Sequence, residues 1–266
     1  MLTKKSILSI VAAGTMALAM SSCGGNKEAE VLQRQADRVN IELAEDAAQY
    51  PSLFAKADAA YADSAFRVNI VFADSTLQVS DYSQAIVEFF LSGEIKSHGG
   101  KDLDEIVNTL AKVKEPLRLT LTDVYGTTRS YDLPAATLRT LFKTQRSQLQ
   151  LPAVRAEVLE ILRDRSIRFA VGPGVQKVDM ELTSSFATYT ITYDNAKSYS
   201  GLNVANLKAR YLKLLKPIYQ GYGPLAESIV KMNRDLGIDG YRFVLTTPAG
   251  DSELKATLPW REILAD

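Results

Sequence analysis

The sequence predicts an α+β protein made of two tandem repeats, each a small antiparallel sheet with helices packed on one face. The first observation behind this is an internal match between the ends of the two halves of the chain. The second is a shared order of elements: a helix, a strand or hairpin, two helices and a closing hairpin. Tandem copies of one unit are the simplest explanation of both. The matching residues are Arg118, Leu121, Thr122, Gly126, Leu133 and Pro134 in the first half and Arg242, Leu245, Thr246, Gly250, Leu258 and Pro259 in the second.

Each predicted repeat begins with helical sequence. We predict helices over residues 27–47 and 55–62 ahead of the first sheet, and over 152–165 ahead of the second. Pro152 suits the first turn of its helix, because that turn leaves the amide that proline lacks without a partner. Val154 and Val158 begin an apolar stripe along the same helix.

Strands with one buried face follow these helices. Apolar residues alternate with others over 65–72 in the first half, and over 178–182 and 189–193 in the second. The register between the two halves stays open at this point. Residues 72–73 can be aligned with 186–187, or 65–70 with 166–171.

Two further helices are then predicted in each half. Asp102 and Glu105 form a capping-box pattern at the start of one of them. Pro224 at the first turn and Gly237 just past the end mark another, since proline favours helix starts and glycine favours helix ends. The four predicted helices cover residues 83–96, 103–114, 203–219 and 224–236.

The closing hairpins lead to the division of the chain. Each reads as a strand, a turn at Gly126 or Gly250, a second strand and a Leu-Pro exit. Counting from the opening helices to these exits, we predict a first α+β repeat over residues 31–150 and a second over residues 151–266.

The first 22 residues have the layout of a secretory signal, with a basic start, an apolar stretch and small residues before Cys23. This segment resembles the lipobox signal of bacterial lipoproteins, although Met20 stands where that family usually has leucine. The resemblance implies cleavage before Cys23, acylation of its thiol and anchoring in the cell envelope. Gly24 weakly favours the outer membrane of a diderm bacterium, on its periplasmic or its surface face. Residues 23–30 are predicted to be a lipidated tether, because 24–30 are small and polar.

Charge and cysteine content exclude several classes of protein. The chain has 31 basic and 31 acidic residues, so it offers no electrostatic footprint for nucleic acid. Cys23 is the only cysteine. Once it is acylated, no thiol remains for a disulfide, a metal ligand or a cysteine nucleophile.

The sequence predicts no catalytic residue, no metal site and no cofactor. His98 is the only histidine, and its Ser-His-Gly-Gly context predicts a solvated loop between two helices. No serine has a nucleophile-elbow pattern around it. The acids at 102–105 suit a helix start, and Asp235 and Asp239 suit a turn beside Gly237.

Aromatic residues provide the remaining candidate site. Seven of the 12 tyrosines lie in the second half, and Tyr199, Tyr219 and Tyr222 lie near the ends of elements, where exposed rings could bind a ligand. The alternative is that the tyrosines pack the core, with Tyr189 on a sheet face and Tyr211 on a helix.

We therefore expect a non-enzymatic, membrane-anchored module that binds a protein, peptide or glycan partner in the cell envelope. The alternative class is a carboxylate-dependent enzyme acting on envelope glycan, since any two acids can meet in a folded chain. A purely structural envelope protein is a third possibility. Two or more acids converging in a pocket with perturbed pKa values would favour the enzyme.

Overall fold

The computed structural model describes residues 27–75, 77–98, 101–143, 151–170, 172–223, 225–250 and 252–265. The signal segment and Cys23 lie outside these residues. The chain divides into two compact units, with a boundary between Leu149 and Gln150. The first unit also includes Tyr222–Ser228, and the second comprises Gln150–Gly221 and Ile229–Asp266.

The two repeats contain the same series of elements, except that the second has an additional 3₁₀ helix between its opening helix and its first strand. The first consists of α1 (Lys27–Gln49), β1 (Phe54–Ala62), β2 (Ala65–Phe72), a 3₁₀ helix (Val79–Asp81), α2 (Gln84–His98), α3 (Lys101–Val113), β3 (Pro116–Thr122), β4 (Thr128–Pro134) and α4 (Ala135–Lys143). The second consists of α5 (Leu151–Asp164), a 3₁₀ helix (Ser166–Phe169), β5 (Val175–Thr183), β6 (Phe186–Tyr193), a 3₁₀ helix (Ala196–Tyr199), α6 (Val204–Gly221), α7 (Leu225–Asp235), β7 (Gly240–Thr246), β8 (Glu253–Pro259) and α8 (Trp260–Ile263).

Each repeat has one four-stranded mixed sheet, with the order β1-β2-β3-β4 in the first and β5-β6-β7-β8 in the second. The outer pairs are antiparallel, whereas the central pairs β2–β3 and β6–β7 are parallel. The prediction of two tandem sheet-and-helix repeats is confirmed, and the antiparallel pairing predicted for each sheet holds in the outer pairs but not in the central pair. The physical reason is the connection: α2 and α3 carry the chain back to the starting end of the sheet, as a parallel pair requires.

Strand registers confirm the duplication residue by residue. Residue 68 pairs with 119 in the first sheet, and the equivalent residues 189 and 243 pair in the second. Both opening hairpins carry the same register shift near their outer ends. Both also turn through two residues with positive φ, Asp63-Ser64 and Ser184-Ser185, which is the backbone that a tight two-residue hairpin requires.

This pairing settles the open register. The counterpart of β2 is β6, so residues 65–72 correspond to residues 186–193. Both alignments considered from the sequence were wrong, because residues 166–171 include a 3₁₀ helix and residue 186 begins a strand. The helical connection between the second and third strands differs in length between the repeats, so the two halves cannot be aligned at one constant offset.

Three further expectations are corrected in the first repeat. Residues 55–62, predicted to be a helix, lie in β1, because pairing with β2 overrides the helix propensity of their alanines. The predicted tether 23–30 overlaps α1, which begins at Lys27 and buries Leu32 completely. His98, predicted to lie in a loop, is the last residue of α2.

The first sheet has an apolar face under the helices and a polar outer face. Phe66, Val68 and Leu117 on the apolar face are buried, as are Leu32 of α1 and Leu110 of α3. The amide of Gln35 in α1 donates to Glu105 in α3. The side chain of Asn40 accepts from the Ala59 amide at 3.1 Å. Helix α1 therefore also bonds a strand-edge amide of β1.

The outer face of the first sheet carries a polar row across all four strands. Asp58, Asn69, Thr120 and Ser130 are register partners. Asn69 donates to Asp58 at 2.7 Å, and the hydroxyls of Thr120 and Ser130 are 3.1 Å apart. An ion pair joins Lys56 to Asp58, and the equivalent pair joins Lys177 to Asp179 in the second repeat.

The second sheet buries aromatic side chains at three positions where the first has aliphatic ones, namely Tyr189 for Val68, Tyr241 for Leu117 and Phe243 for Leu119. Phe243 is fully buried, and its ring stacks on Tyr211 with the centroids 3.7 Å apart. Tyr189 stacks on the same ring at 5.6 Å. The buried Trp260 donates its indole N–H to the Ile238 carbonyl at 2.7 Å. Packing of this kind stabilises a core through both buried area and ring geometry.

None of the helices in the described part of the chain combines the length and the apolar character that a membrane span needs.

Candidate functional site

The three tyrosines predicted to bind a ligand are buried. The exposed fraction is 6% for Tyr199, 6% for Tyr219 and 7% for Tyr222. The expectation that their rings would be exposed was therefore wrong. Position near the end of an element did not bring exposure, because neighbouring elements cover these rings. They offer no stacking surface to a partner in this structure.

Hydrogen bonds show what two of these tyrosines do instead. The Tyr199 hydroxyl donates to the Ser252 carbonyl at 3.0 Å, which ties a 3₁₀ helix to the strand β8 side of the sheet. The Tyr219 hydroxyl lies 2.9 Å from that of Tyr241, so α6 is bonded to β7 inside the core. Buried phenols need such partners. The alternative interpretation, that the tyrosines pack the core, is the one the structure supports.

The exposed aromatic residue of interest lies in the first repeat. Tyr125 is 66% exposed and its neighbour Val124 is 44% exposed, both in the turn between β3 and β4. We call residues 123–127 the β3–β4 tip. A large ring in a hairpin turn contributes little to a core, so its exposed surface is available for contact with a partner.

Asp123 holds the β3–β4 tip in one conformation. Its carboxylate accepts from the amides of Tyr125 at 3.0 Å and Thr127 at 2.9 Å within the tip. It also accepts from the amide of Val79 at 3.1 Å, at the start of a 3₁₀ helix. Gly126, with φ of 83°, completes the turn. The tip is therefore anchored both to itself and to a neighbouring segment.

The electrostatics of Asp123 follow from the same bonds. Burial acts to raise the pKa of its carboxyl, but the amides of Thr127, Val79 and Tyr125 outweigh burial and hold the pKa below its ordinary value. Asp123 is therefore a carboxylate near neutral pH, and it stays in place as an acceptor for the backbone of the tip.

Strand β4 secures the same neighbouring segment from a second direction. Arg129 and Tyr131 both donate to the carbonyl of Tyr82, at 3.1 Å and 2.5 Å. Tyr82 directly follows the 3₁₀ helix that Asp123 contacts. Three side chains of the β3–β4 hairpin thus hold the chain around residues 79–82, and the tip rests on a rigid support.

The second repeat provides an internal comparison for the tip. By the strand registers, Tyr125 corresponds to Ala249 and Gly126 to Gly250, and both glycines have positive φ. The turn of the second repeat, which is one residue longer, therefore forms with alanine at the position of the tyrosine. The Tyr125 hydroxyl donates to the Ser75 carbonyl at 3.4 Å, but the side chain stays largely exposed, and this exposure is the reason to assign it a role beyond folding.

Sequence reasoning did not select Tyr125, although a signal was present. The seven tyrosines of the second half are all buried. Aligning the closing hairpins at Gly126 and Gly250 places Tyr125 opposite Ala249, within turns that share only the glycine. A residue that differs between two copies at an exposed turn is a better indicator of a site than the number of tyrosines.

Asp58 and Asp132 do not have the electrostatics of a general acid. Burial acts to raise the pKa of Asp58, but bonds from Lys56 and Asn69 lower it below its ordinary value. The bond from Arg118 likewise lowers the pKa of Asp132. A general acid for glycan cleavage needs a raised pKa, and these groups have the opposite shift. No three His, Cys, Asp or Glu side chains within the described ranges are grouped to hold a metal ion.

Comparison with known proteins returns no matching family model, no matching curated protein and no matching solved structure.

Proposed function

We propose that the mature protein is a lipid-anchored, non-enzymatic binding module of the cell envelope, which engages a partner protein through the β3–β4 tip. The observation that carries this proposal is Tyr125, exposed on a rigid turn at a position where the equivalent turn has alanine. A ring that is held in place loses little conformational entropy when a partner covers it. Tyrosine is also among the residues most often responsible for binding energy at interfaces.

The shape of the tip favours a protein over the peptide or glycan alternatives. Val124 and Tyr125 lie in a hairpin turn, whereas sites for small ligands are concave and enclose the ligand. A turn with two apolar side chains fits into a pocket on a larger partner. The neighbouring Asp123 and Thr127 are bonded within the tip, so they do not need to rearrange on binding.

The anchor in this proposal is the acylated Cys23, in the outer membrane of a diderm bacterium. Its support is the lipobox resemblance of residues 1–23. Lys27 already lies in α1, so at most residues 24–26 separate the anchor from the first helix. Three residues span at most about 10 Å. The first repeat would therefore be held close to the membrane surface.

Replacing Cys23 with serine should release the protein from membranes. Serine offers no thiol for acylation, and acyl chains are what hold such a protein durably on a bilayer. The measurement is the distribution of the protein between membrane and soluble fractions, together with the intact mass of the membrane-bound form. The control is Ser22→Ala, which keeps a small residue before the cysteine and should stay with membranes. Retention of the Cys23→Ser protein on membranes would contradict the anchor.

Replacing Tyr125 with alanine should weaken partner binding about tenfold or more without unfolding the protein, because buried aromatic residues at interfaces commonly contribute over 1 kcal/mol. The variant removes one exposed hydrogen bond, from the Tyr125 hydroxyl to the Ser75 carbonyl at 3.4 Å, so stability should change little. A photo-crosslinking residue at position 125 in living host cells should give one discrete adduct. The same residue at position 249 is the matched control and should give none.

Competition completes this test. The purified Cys23→Ser protein should suppress the adduct from position 125, and the same protein carrying Tyr125→Ala should suppress it far less. Equal suppression by both proteins, or equal adducts from positions 125 and 249, would exclude the tip as the binding site.

A further inference from the structure

A charge network on the outer face of the first sheet has lost all but one member in the second. In the first repeat, Arg118 grips the Asp132 carboxylate with two bonds, Nε to Oδ1 at 2.6 Å and Nη2 to Oδ2 at 3.0 Å. Arg67, the register partner of Arg118 on β2, pairs with Asp63. The network therefore contains two cations and two carboxylates, and its charges balance.

The equivalent positions in the second repeat keep only the arginine. Arg242 occupies the place of Arg118, while Ser184, Thr188 and Thr257 replace Asp63, Arg67 and Asp132. The repeats share strand order and register, so these substitutions change the chemistry and leave the backbone frame unchanged. The Arg242 guanidinium therefore lies beside the Thr257 hydroxyl, at the position where the first repeat has a charge-balanced network.

The bonds that Arg242 makes in the second repeat are long and use neutral groups. Its Nε lies 3.3 Å from the Thr257 hydroxyl and its Nη1 lies 3.4 Å from the Thr183 carbonyl. Its guanidinium also lies over the Phe186 ring, 4.9 Å from the centroid. Among the described residues, no carboxylate forms an ion pair with it. Glu181 lies on the same cross-strand row as Arg242, with Thr188 between them. The backbones at Glu181 and Arg242 are therefore roughly two strand spacings, or about 10 Å, apart.

We infer that Arg242, with Thr257 and Phe186, forms a binding site for a carboxylate supplied by an acidic partner. The first repeat shows which group suits an arginine at this register position, since Asp132 fills it with a bidentate bond. In the second repeat the shorter Thr257 side chain leaves that place to an outside group. The Thr257 hydroxyl can donate a further hydrogen bond, and the Phe186 ring shields one side of the guanidinium from water. This site does not depend on Tyr125 or on the partner proposed for the tip.

The test uses acetate as the probe and exchanges residues between the repeats. Sodium acetate, titrated against sodium chloride at equal ionic strength, should shift the Arg242 Nε–Hε resonance in a saturable way. The Arg118 resonance should not respond, because the Asp132 carboxylate already binds the Arg118 guanidinium. Arg242→Lys and Arg118→Lys assign the two resonances. Arg242→Lys should also weaken acetate binding, measured on neighbouring backbone amides, by about tenfold, because lysine cannot make the bidentate bond.

Two reciprocal variants test whether an internal carboxylate prevents the arginine from binding acetate. Thr257→Asp supplies an internal carboxylate and should abolish the acetate response of Arg242. Asp132→Thr removes the internal carboxylate of the first repeat and should give Arg118 a new acetate response of similar strength. Both positions lie on the partly exposed outer face, and loss of an exposed ion pair has a small effect on stability. An unchanged response at Arg242 in the Thr257→Asp protein, or no saturable response in the wild type, would overturn the inference.

Discussion

Replacing Phe243 with alanine should lower the free energy of unfolding of the second unit by about 4 kcal/mol, within the range for deleting a buried aromatic ring. Phe243 is fully buried. Its ring contacts Tyr211 at 3.7 Å, Phe169 at 5.1 Å and Tyr189 at 5.6 Å between centroids. All three neighbouring rings would lose a contact at once, and the gap left between them cannot be closed by small side-chain shifts.

The measurement is denaturant unfolding followed by tryptophan fluorescence. Trp260 is the only tryptophan, it belongs to the second unit, and it is 1% exposed. Its emission therefore reports on the unit that contains Phe243. The control is Leu254→Ala on the same sheet face. Leu254 is only half-buried, so its loss should be about 1 kcal/mol. Equal losses for the two variants would show that the ring cluster is not the main support of this core.

Replacing Gly240 with alanine should destabilise the second unit by about 3 kcal/mol, combining backbone strain and overpacking. An added Cβ would lie 2.3 Å from the Leu258 carbonyl oxygen and 2.9 Å from the Pro259 Cα. Both are backbone atoms, so no side chain can move aside. The β7–β8 pairing at Gly240 and Pro259 would have to open.

Gly250→Ala is the matched control for this prediction. Gly250 also has positive φ, at 67°, but an added Cβ would meet no atom within 4 Å. The control therefore retains the conformational penalty of about 1 kcal/mol and removes the clash. The same fluorescence measurement applies to both variants. If they lose equal stability, then the close approach to Leu258 is relieved at little expense and the steric argument fails.

The fold could be predicted from the sequence largely because the chain contains it twice. The closing hairpins match at Arg118 and Arg242 and at Gly126 and Gly250, and most helices lie close to their predicted ranges. Strand direction could not be read from alternation, because a strand has the same pattern in either direction. Strand β1 was missed because its alanines carry a local helix preference that pairing with β2 overcomes.

The candidate site was less predictable, and the reason is tertiary burial. Tyr219 and Tyr222 flank loops in the sequence, yet each is less than a tenth exposed. Which side of a helix end is covered depends on the elements packed against it, and periodicity does not contain that information. Tyr125 differs from them because the second repeat acts as an internal reference. A side chain that is exposed in only one of two repeats indicates a functional site more directly than the amino-acid composition does.

The equal registers of the two sheets also bear on how the chain reaches its native state. Two copies of one fold in a single chain can exchange strands while folding. Backbone pairing cannot prevent this, since β2 could align with β7 as readily as with β3. Differences in side-chain volume can prevent this exchange. A hybrid sheet would set Val68 beside Phe243 and leave the Tyr189 ring without its stacking partner. The differences in side-chain size at equivalent positions, among them Val68 and Tyr189, Leu119 and Phe243, and Phe66 and Ala187, thus favour the pairing of each strand within its own sheet.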